Sequence, residues 1–206
     1  MSNEHYIKFL EQVLTPKRLA HSLGAMHVMG ELANVYGLDV EKARTIGLLH
    51  DAGKDLPPEQ QKQLFEEAGI EIRFECERDY VFYLHGPVGS YFVQKNLGIR
   101  DELILDAITV HTYYGNGKNF HHPMCWCLRF SDLLEPTRDW RQWAWFHDGV
   151  EELRKIVYEG RMEQGSHMHL GLLIKWFDEQ GMPVHPNMRS YHQELSARLK
   201  SSSKKG

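Results

Sequence analysis

The stretch Gly47-Leu48-Leu49-His50-Asp51-Ala52-Gly53-Lys54 ends a segment whose apolar residues recur at helical spacing. It places an imidazole and a carboxylate side by side at the end of a predicted helix, with a lysine one turn later. Imidazole nitrogen and carboxylate oxygen together suit first-row transition metals. A His-Asp pair alone is a common dipeptide with little specificity. Its meaning therefore depends on where the other histidines lie.

The helix before this stretch, predicted over residues 16–36, also directs a histidine inward. Thr15 suits its N-cap and Pro16 its first turn. Its apolar stripe passes through Ala25, and one turn before that residue the same stripe contains His21. A histidine in line with a buried stripe points into the protein. Taken alone, it is interpreted as a core histidine that binds a backbone carbonyl.

Three further helices bring a metal-binding side chain to an inner face or to an end. His85 stands just before the first of them, where the positive helix end favours a neutral imidazole. His111 ends the apolar face of the second, and Asp132 ends that of the third. Asp132 has only Arg129, one turn away, as a partner close in sequence. These helices are predicted over residues 87–96, 101–111 and 123–135.

The rest of the chain is also predicted to be helical, with no convincing pair of strands. The Trp-rich segment 140–146 is expected to serve core packing or helix docking, and residues 70–82 are left as a loop or a short helix. We predict an all-α fold with a single domain over residues 1–199, a motif core at about 16–136, and a disordered Ser/Lys-rich tail over 200–206. Further helices are predicted over residues 5–14, 40–51, 58–68, 148–159, 166–180 and 186–199.

The composition narrows the functional classes. A formal net charge of -4 for 206 residues gives no global reason to expect nucleic-acid binding. Cys76, Cys125 and Cys127 form neither a disulfide framework nor a structural zinc pair, which indicates a reducing compartment; Cys125 and Cys127 are predicted to be packing residues. The first residues lack a signal-peptide core, and no apolar run is long enough to span a membrane. We therefore expect a cytoplasmic protein with no nucleic-acid or membrane partner.

Histidine is the one residue type in clear excess, with 13 copies. Four histidines and two aspartates on separate inner faces would be costly to bury unpaired, and a shared two-metal centre satisfies all of them. The alternative is that these polar side chains are buried at separate places in the core and do not form a common site. Ligands of nitrogen and oxygen without thiolate favour iron or manganese over structural zinc. The candidate ligands are His21, His50, Asp51, His85, His111 and Asp132.

Several stretches, in this order, resemble the HD-domain metal-dependent phosphohydrolases, and more closely the YqeK-type branch of symmetrical bis(5′-nucleosyl)-tetraphosphatases. The resemblance covers most of the chain. It implies an all-α bundle that hydrolyses diadenosine tetraphosphate to two ADP at a diiron centre. The matching stretches are residues 18–22, 48–54, 84–89, 111–112, 131–138 and, less sharply, 181–186.

The resemblance also implies a division of the ligands between two divalent or mixed-valence metal ions. Iron is expected first and manganese is the alternative. The second ion would take His85 and His111, with Asp51 bridging the two ions. The first ion would take His21, His50, Asp51 and Asp132.

The remaining predicted roles concern catalysis and phosphate binding. Asp51 and Lys54 are the predicted catalytic residues, and Lys54, Thr112 and Arg138 are the candidates for binding phosphate. The longer segment 113–122, with flexible points at its glycines Gly115 and Gly117, departs from the branch and leaves the nucleoside preference open.

Two other functional classes are compatible with the sequence. One is a different HD-type hydrolase, either a nucleoside monophosphatase or a cyclic-nucleotide phosphodiesterase. The other is a non-catalytic nucleotide-sensing module, which the intact ligand set with Lys54 disfavours. In each case the partner is a small nucleotide, and a homodimer is left open.

Overall fold

The computed structural model describes residues 3–79, 81–115 and 119–202. These residues form α-helices and one 3₁₀ turn, and no strand occurs among them, which confirms the predicted all-α fold. None of the described helices combines the length and the apolar character needed to cross a membrane. The helices are α1 (Glu4–Val13), α2 (Pro16–Val35), α3 (Val40–Leu49), α4 (Pro58–Glu67), α5 (Glu75–Asp79), α6 (His85–Leu97), α7 (Glu102–Val110), α8 (Pro123–Leu134), α9 (Ala144–Tyr158), α10 (Met162–Glu179) and α11 (Pro186–Ser202), with the 3₁₀ turn at Val81–Leu84.

Local capping explains where the central helices begin and end. The Thr15 hydroxyl accepts a hydrogen bond from the amide of Arg18 at 3.3 Å, and Asp39 accepts one from the amide of Lys42 at 2.9 Å. Gly37 follows α2 with a φ of 64°, a left-handed conformation that glycine adopts without strain. These contacts confirm the predicted starts of α2 and α3 and the predicted end of α2.

The segment left open in the sequence, residues 70–82, contains α5 and the start of the 3₁₀ turn. Glu77 anchors it from a fully buried position, accepting the amides of Arg73 and Phe74 at 2.7 and 3.2 Å. Its other carboxylate oxygen lies 3.0 Å from Nε2 of His185, which is also fully buried. This pair joins the segment to the start of α11. The 3₁₀ turn leads directly into α6, so that helix begins at His85 rather than at the predicted residue 87.

The last helix extends further than predicted. α11 continues to Ser202, because no glycine or proline interrupts it and the hydroxyls of Ser201 and Ser202 donate to the carbonyl of Arg198. The prediction of a disordered tail is therefore wrong for residues 200–202. Residues 203–206 lie outside the described residues.

Two predicted packing residues, Cys125 and Cys127, lie fully buried on α8. Burial raises the pKa of the Cys125 thiol to about 11 and that of Cys127 to about 12. Both thiols stay protonated near neutral pH and behave as small apolar groups. Their position in the core agrees with the prediction.

The centre of the fold is the contact of α2 with α3, and α8 packs against both helices. Gly47 on α3 makes that contact close. A Cβ atom built at Gly47 would lie 2.8 Å from the carbonyl oxygen of Ala25 and 2.9 Å from Cα of Met26. The absence of a side chain at Gly47 therefore lets the backbone of α2 lie directly against α3.

Replacing Gly47 by alanine should therefore force α2 and α3 apart. We expect the free energy of unfolding to fall by about 1–3 kcal/mol, as for other overpacked cores. Urea denaturation measures this change. The matched control is Gly171→Ala on α10, where the added Cβ would meet only the His192 ring, at 3.3 Å. A Gly47→Ala protein as stable as the control would contradict the close-contact role.

Candidate metal centre

The six predicted ligands meet in one place, where α2, α3, α6, α7 and α8 converge. His21 and His50 form one pair, with 3.1 Å between their Nε2 atoms, and His85 and His111 form a second pair with the same separation. Asp51 lies between the pairs. Its Oδ2 is 3.5 Å from Nε2 of His21, and its Oδ1 is 3.3 Å from Nε2 of His85. One carboxylate therefore faces both histidine pairs.

The four imidazole rings are oriented by bonds at their other nitrogen. Nδ1 of His50, His85 and His111 each donates to the backbone carbonyl three residues earlier, at 2.8 Å for His50 and 2.6 Å for His111. Nδ1 of His21 is 2.9 Å from Oε1 of Glu135. Because a carbonyl only accepts, the first three rings carry their proton on Nδ1. Their Nε2 lone pairs face the cluster, which is the arrangement of metal-binding histidines.

Burial and charge set the protonation of the cluster. Burial opposes ionisation of Asp51, but the charge of Lys54 holds the pKa of this carboxyl well below its usual range. Burial lowers the pKa of His50 to about 4. Burial together with the charge of Lys54 lowers the pKa of His85 to about 3. These groups are a carboxylate and neutral imidazoles near neutral pH, and those are the forms that bind metals.

His21 differs from the other three histidines. Burial opposes its protonation, but hydrogen bonds to Asp132, Asp51 and Glu135 raise its pKa to about 10. The proton on His21 offsets part of the negative charge of three carboxylates. A metal ion that binds Nε2 would displace this proton, since metal binding at imidazole releases protons.

The residues fit a pair of metal ions. His21, His50 and Asp51 can offer ligand atoms within 4.8 Å of one another, and so can Asp51, His85 and His111. Oδ1 of Asp51 is buried and makes no hydrogen bond in the described part of the chain. A buried carboxylate oxygen without a hydrogen bond is costly, and a cation beside it would offset that cost.

Asp132 occupies the edge of the cluster. Its Oδ1 lies 3.2 Å from Nε2 of His21, and its side chain is 28% exposed rather than fully buried. The prediction that Arg129 is the partner of Asp132 is wrong. The Arg129 guanidinium donates to two backbone carbonyls and lies over three aromatic rings. The partner is Arg138, whose Nη2 is 2.5 Å from Oδ1. The chain turns back after α8, which brings Arg138 over the carboxylate.

The other predicted site residues also lie at the cluster. Nζ of Lys54 is 3.4 Å from Oδ2 of Asp51 and 3.3 Å from Nε2 of His85. The Thr112 hydroxyl is buried and donates to the carbonyl of Tyr83 at 2.8 Å. Because this bond uses the hydroxyl proton, it does not favour the predicted contact of Thr112 with phosphate.

Two residues of the cluster were not predicted as site residues. Nη1 of Arg18 is 2.8 Å from Oδ2 of Asp51, and Glu135 holds the His21 ring. Arg18 lies three residues before His21, and Glu135 lies three residues after Asp132. Residues at this spacing share one face of a helix, so the sequence could have identified both residues. Gly24 makes room for the carboxylate, since a Cβ atom there would be 2.5 Å from Oε2 of Glu135.

A cavity of about 300 Å³ opens on the His85–His111 side of the cluster. Arg18, Lys54, Arg129 and Arg138 contribute its positive charges. Trp140, expected to serve core packing or helix docking, packs against the core and also lines this cavity; its Nε1 donates to the carbonyl of Leu133 at 3.1 Å. The aromatic residues of the wall are Phe82, Tyr113, Trp140, Phe146, Trp176 and Phe177.

Part of that wall comes from the segment that departs from the predicted pattern. Tyr113 has a φ of 65°, in the left-handed region that residues other than glycine seldom adopt. Its hydroxyl lies 2.9 Å from Nε2 of the buried His169, and its carbonyl accepts from the side chain of Asn187 at 2.9 Å. Gly115 has a φ of 74°, a left-handed conformation that glycine adopts readily. Gly117, the other predicted flexible point, lies outside the described residues. The described part of the segment is thus fixed against α10 and α11.

The geometry of the cluster has a parallel in known families. The family described as HD domain matches residues 18–151, which include all six candidate ligands. The chain belongs to the HD-domain family. Like other members of this metal-dependent family, it presents buried histidine and aspartate groups that can hold a metal.

Individual HD-domain relatives match nearly the whole chain. A Bacillus subtilis protein named "Bis(5'-nucleosyl)-tetraphosphatase, symmetrical" is 29% identical over 187 residues, which are 91% of this chain and 94% of the relative. A protein of the same name from Halalkalibacterium halodurans is 26% identical over 202 residues, 95% and 97% of the two chains. The crystal structure of a predicted HD superfamily hydrolase involved in NAD metabolism from Clostridium acetobutylicum superposes with a TM-score of 0.82. It is 31% identical and covers 96% of this chain and 98% of its own.

The contact between Glu135 and His21 predicts a measurable effect on metal binding. Glu135 is itself held by Thr137, whose amide donates to Oε2 at 2.7 Å. Removing its charge in Glu135→Gln should weaken metal affinity by about 10- to 100-fold, as for other residues that orient a ligand histidine. Metal titration of the purified variant measures this. Glu41→Gln, an exposed glutamate paired with Arg44, is the control. Equal affinities in the two variants would contradict the orienting role.

Proposed function

We propose that this chain is a metal-dependent hydrolase that splits diadenosine tetraphosphate symmetrically into two ADP. The observation that carries the proposal is the single carboxylate of Asp51 placed between two buried histidine pairs, beside a cavity with basic and aromatic walls. The names of the Bacillus and Halalkalibacterium relatives support the same activity. The aromatic wall suits a nucleobase, and the basic residues suit a polyphosphate.

The proposed ligand sets follow the two histidine pairs. One ion would be held by His21, His50, Asp51 and Asp132. The second would be held by His85 and His111 together with Asp51. Iron is proposed, with manganese as the alternative, because the donors are imidazole and carboxylate without thiolate. When bound, the two ions would supply Lewis acidity and a water of lowered pKa near the reacting phosphorus.

The cationic side chains would bind and orient the polyphosphate. Arg18, Lys54 and Arg138 each lie beside a cluster carboxylate, at 2.8, 3.4 and 2.5 Å respectively. All three line the cavity, so their donors can reach phosphate oxygens that enter it. Their charge would offset the negative charge on those oxygens, and this electrostatic effect dominates phosphoryl transfer. No serine or cysteine nucleophile is required.

Product analysis tests the proposed function. Protein purified without oxygen would be assayed for iron and manganese and then given diadenosine tetraphosphate, with products separated by ion-exchange chromatography. ADP as the sole product, with about two metal ions per chain, is the expected result. AMP and ATP as products would show asymmetrical cleavage and contradict the proposal.

The same assay separates the other functional classes. Turnover of a nucleoside monophosphate or a cyclic nucleotide, without turnover of the dinucleotide, would favour a different HD-type hydrolase. Tight nucleotide binding without any turnover, in protein that carries its metals, would favour a sensing module. Protein that binds no metal under any of these conditions would overturn the metal centre itself.

A further inference from the structure

A second cavity also borders the candidate metal centre and adjoins the cavity described above. The cavity described above, called the first cavity, contacts His85 and His111. The second cavity, of about 500 Å³, contacts His21 and Glu135 instead. Each cavity therefore lies against a different histidine pair. The residues that line both cavities are Arg18, Arg138, Trp140 and Trp176.

We propose that the second cavity binds the second nucleoside of a dinucleoside tetraphosphate, while the first cavity binds the other. The inference rests on the proposed function, because it assumes a substrate with two equal halves. Such a substrate extends one nucleoside diphosphate to either side of the bond that is cut, so its second half needs space next to the half held in the first cavity. The second cavity provides that space, and a polyphosphate that connects the two cavities would cross the shared residues Arg18 and Arg138.

The second cavity has aromatic surfaces suited to a nucleobase. The Trp143 ring lies 5.6 Å from that of Trp176 at an angle of 85°, and 6.3 Å from that of Trp140. Trp143 lines the second cavity but not the first. Bases stack on such rings with little dependence on sequence. Trp143 is therefore the residue that distinguishes the second cavity.

The second cavity has basic side chains that can bind an anion. Lys17 lines it together with the shared arginines. Arg18 donates from Nη1 to Asp51. Its buried Nε makes no hydrogen bond with any described residue, and Oδ1 of Asp55 lies 3.7 Å away. The two carboxylates that line this cavity are already paired. Asp139 binds Arg141 by two bonds of 2.8 Å, and Glu135 contacts the His21 ring and the amide of Thr137. The α-phosphate and β-phosphate of the second half can thus approach the arginines.

The test compares Trp143→Ala with a matched tryptophan outside both cavities. Trp145 is partly buried and lies under Lys175, 3.8 Å from its ring centre, and it lines neither cavity. Trp143→Ala should raise KM for diadenosine tetraphosphate by about tenfold or more, through the loss of one stacking surface, with kcat little changed. Trp145→Ala should leave KM at the wild-type value. Trp143→Phe, which retains an aromatic face, should keep most of the affinity.

Inhibition by ADP gives the second measurement. ADP carries one nucleoside and can occupy the intact first cavity, so its inhibition constant should stay close to the wild-type value in Trp143→Ala. An unchanged KM for the dinucleotide, or an equal rise in Trp145→Ala, would overturn the proposal. An equal rise in the ADP inhibition constant would also overturn it, because that rise would mean general damage to the site. Failure of the wild-type protein to cleave the dinucleotide would instead refute the proposed function.

Discussion

Replacing Asp51 by alanine is expected to abolish hydrolysis and to lower the metal content of the purified protein. Asp51 is the one carboxylate that faces both histidine pairs, and its Oδ1 makes no hydrogen bond in the described part of the chain. Without it, neither ligand group is complete. We expect a fall in turnover of about 10³-fold or more, because several kcal/mol of metal-supplied stabilisation of the transition state would be lost.

Circular dichroism and metal analysis separate this loss from unfolding. The helices are stabilised by apolar packing away from Asp51, so the variant should remain helical. Asp178→Ala is the control, since Asp178 forms an exposed ion pair with Arg189 at 2.7 Å and such pairs contribute little. Full activity with metal retained in Asp51→Ala would exclude Asp51 as a shared ligand.

Replacing Lys54 by methionine is expected to reduce kcat by about 10²- to 10³-fold while the metal content stays near the wild-type value. Nζ of Lys54 contacts Asp51 and His85 but offers no lone pair to a cation when protonated. Its proposed role is to stabilise charge on the phosphoryl oxygens. A loss of kcat without a loss of metal is the signature of that role. It is measured by steady-state kinetics together with metal analysis.

Lys95→Met provides the matched control for this variant. Lys95 is exposed and paired with Glu67 on the surface of α4, and its replacement should leave kcat unchanged. Loss of metal from Lys54→Met in proportion to its loss of activity would indicate that Lys54 only supports the ligand geometry. Wild-type kcat would show that its ammonium group has no part in the reaction.

Local sequence features predicted the helices well where a cap and an apolar stripe coincided. Thr15 and Asp39 each cap a helix as expected, because capping depends on residues within one turn. The predicted helix boundaries were wrong where local sequence features were weak. Nothing near residue 199 signals a helix end or its continuation, and the segment around Glu77 acquires its structure from a distant partner, His185.

The candidate ligands could be selected from the sequence because each stands at an inner face or an end of a predicted helix. Their types and positions were sufficient to suggest a metal site, and the resemblance to HD-domain proteins supplied the expected division into two groups. The structure brings all six together. The structure also shows that the partner of Asp132 is Arg138 and not the predicted Arg129, because Arg129 lies among aromatic rings and backbone carbonyls.

The sequence by itself determined the helical elements and the chemical types of the ligands, because periodicity and capping are local properties. Only the tertiary structure decided which side chains face one another. His21 and its orienting partner Glu135 are separated by 114 positions, and no local pattern relates them. The two cavities arise in the same way, since their shared wall combines α2, α10 and the segment that follows α8. Contacts between distant residues depend on how the helices pack, which a single sequence does not display.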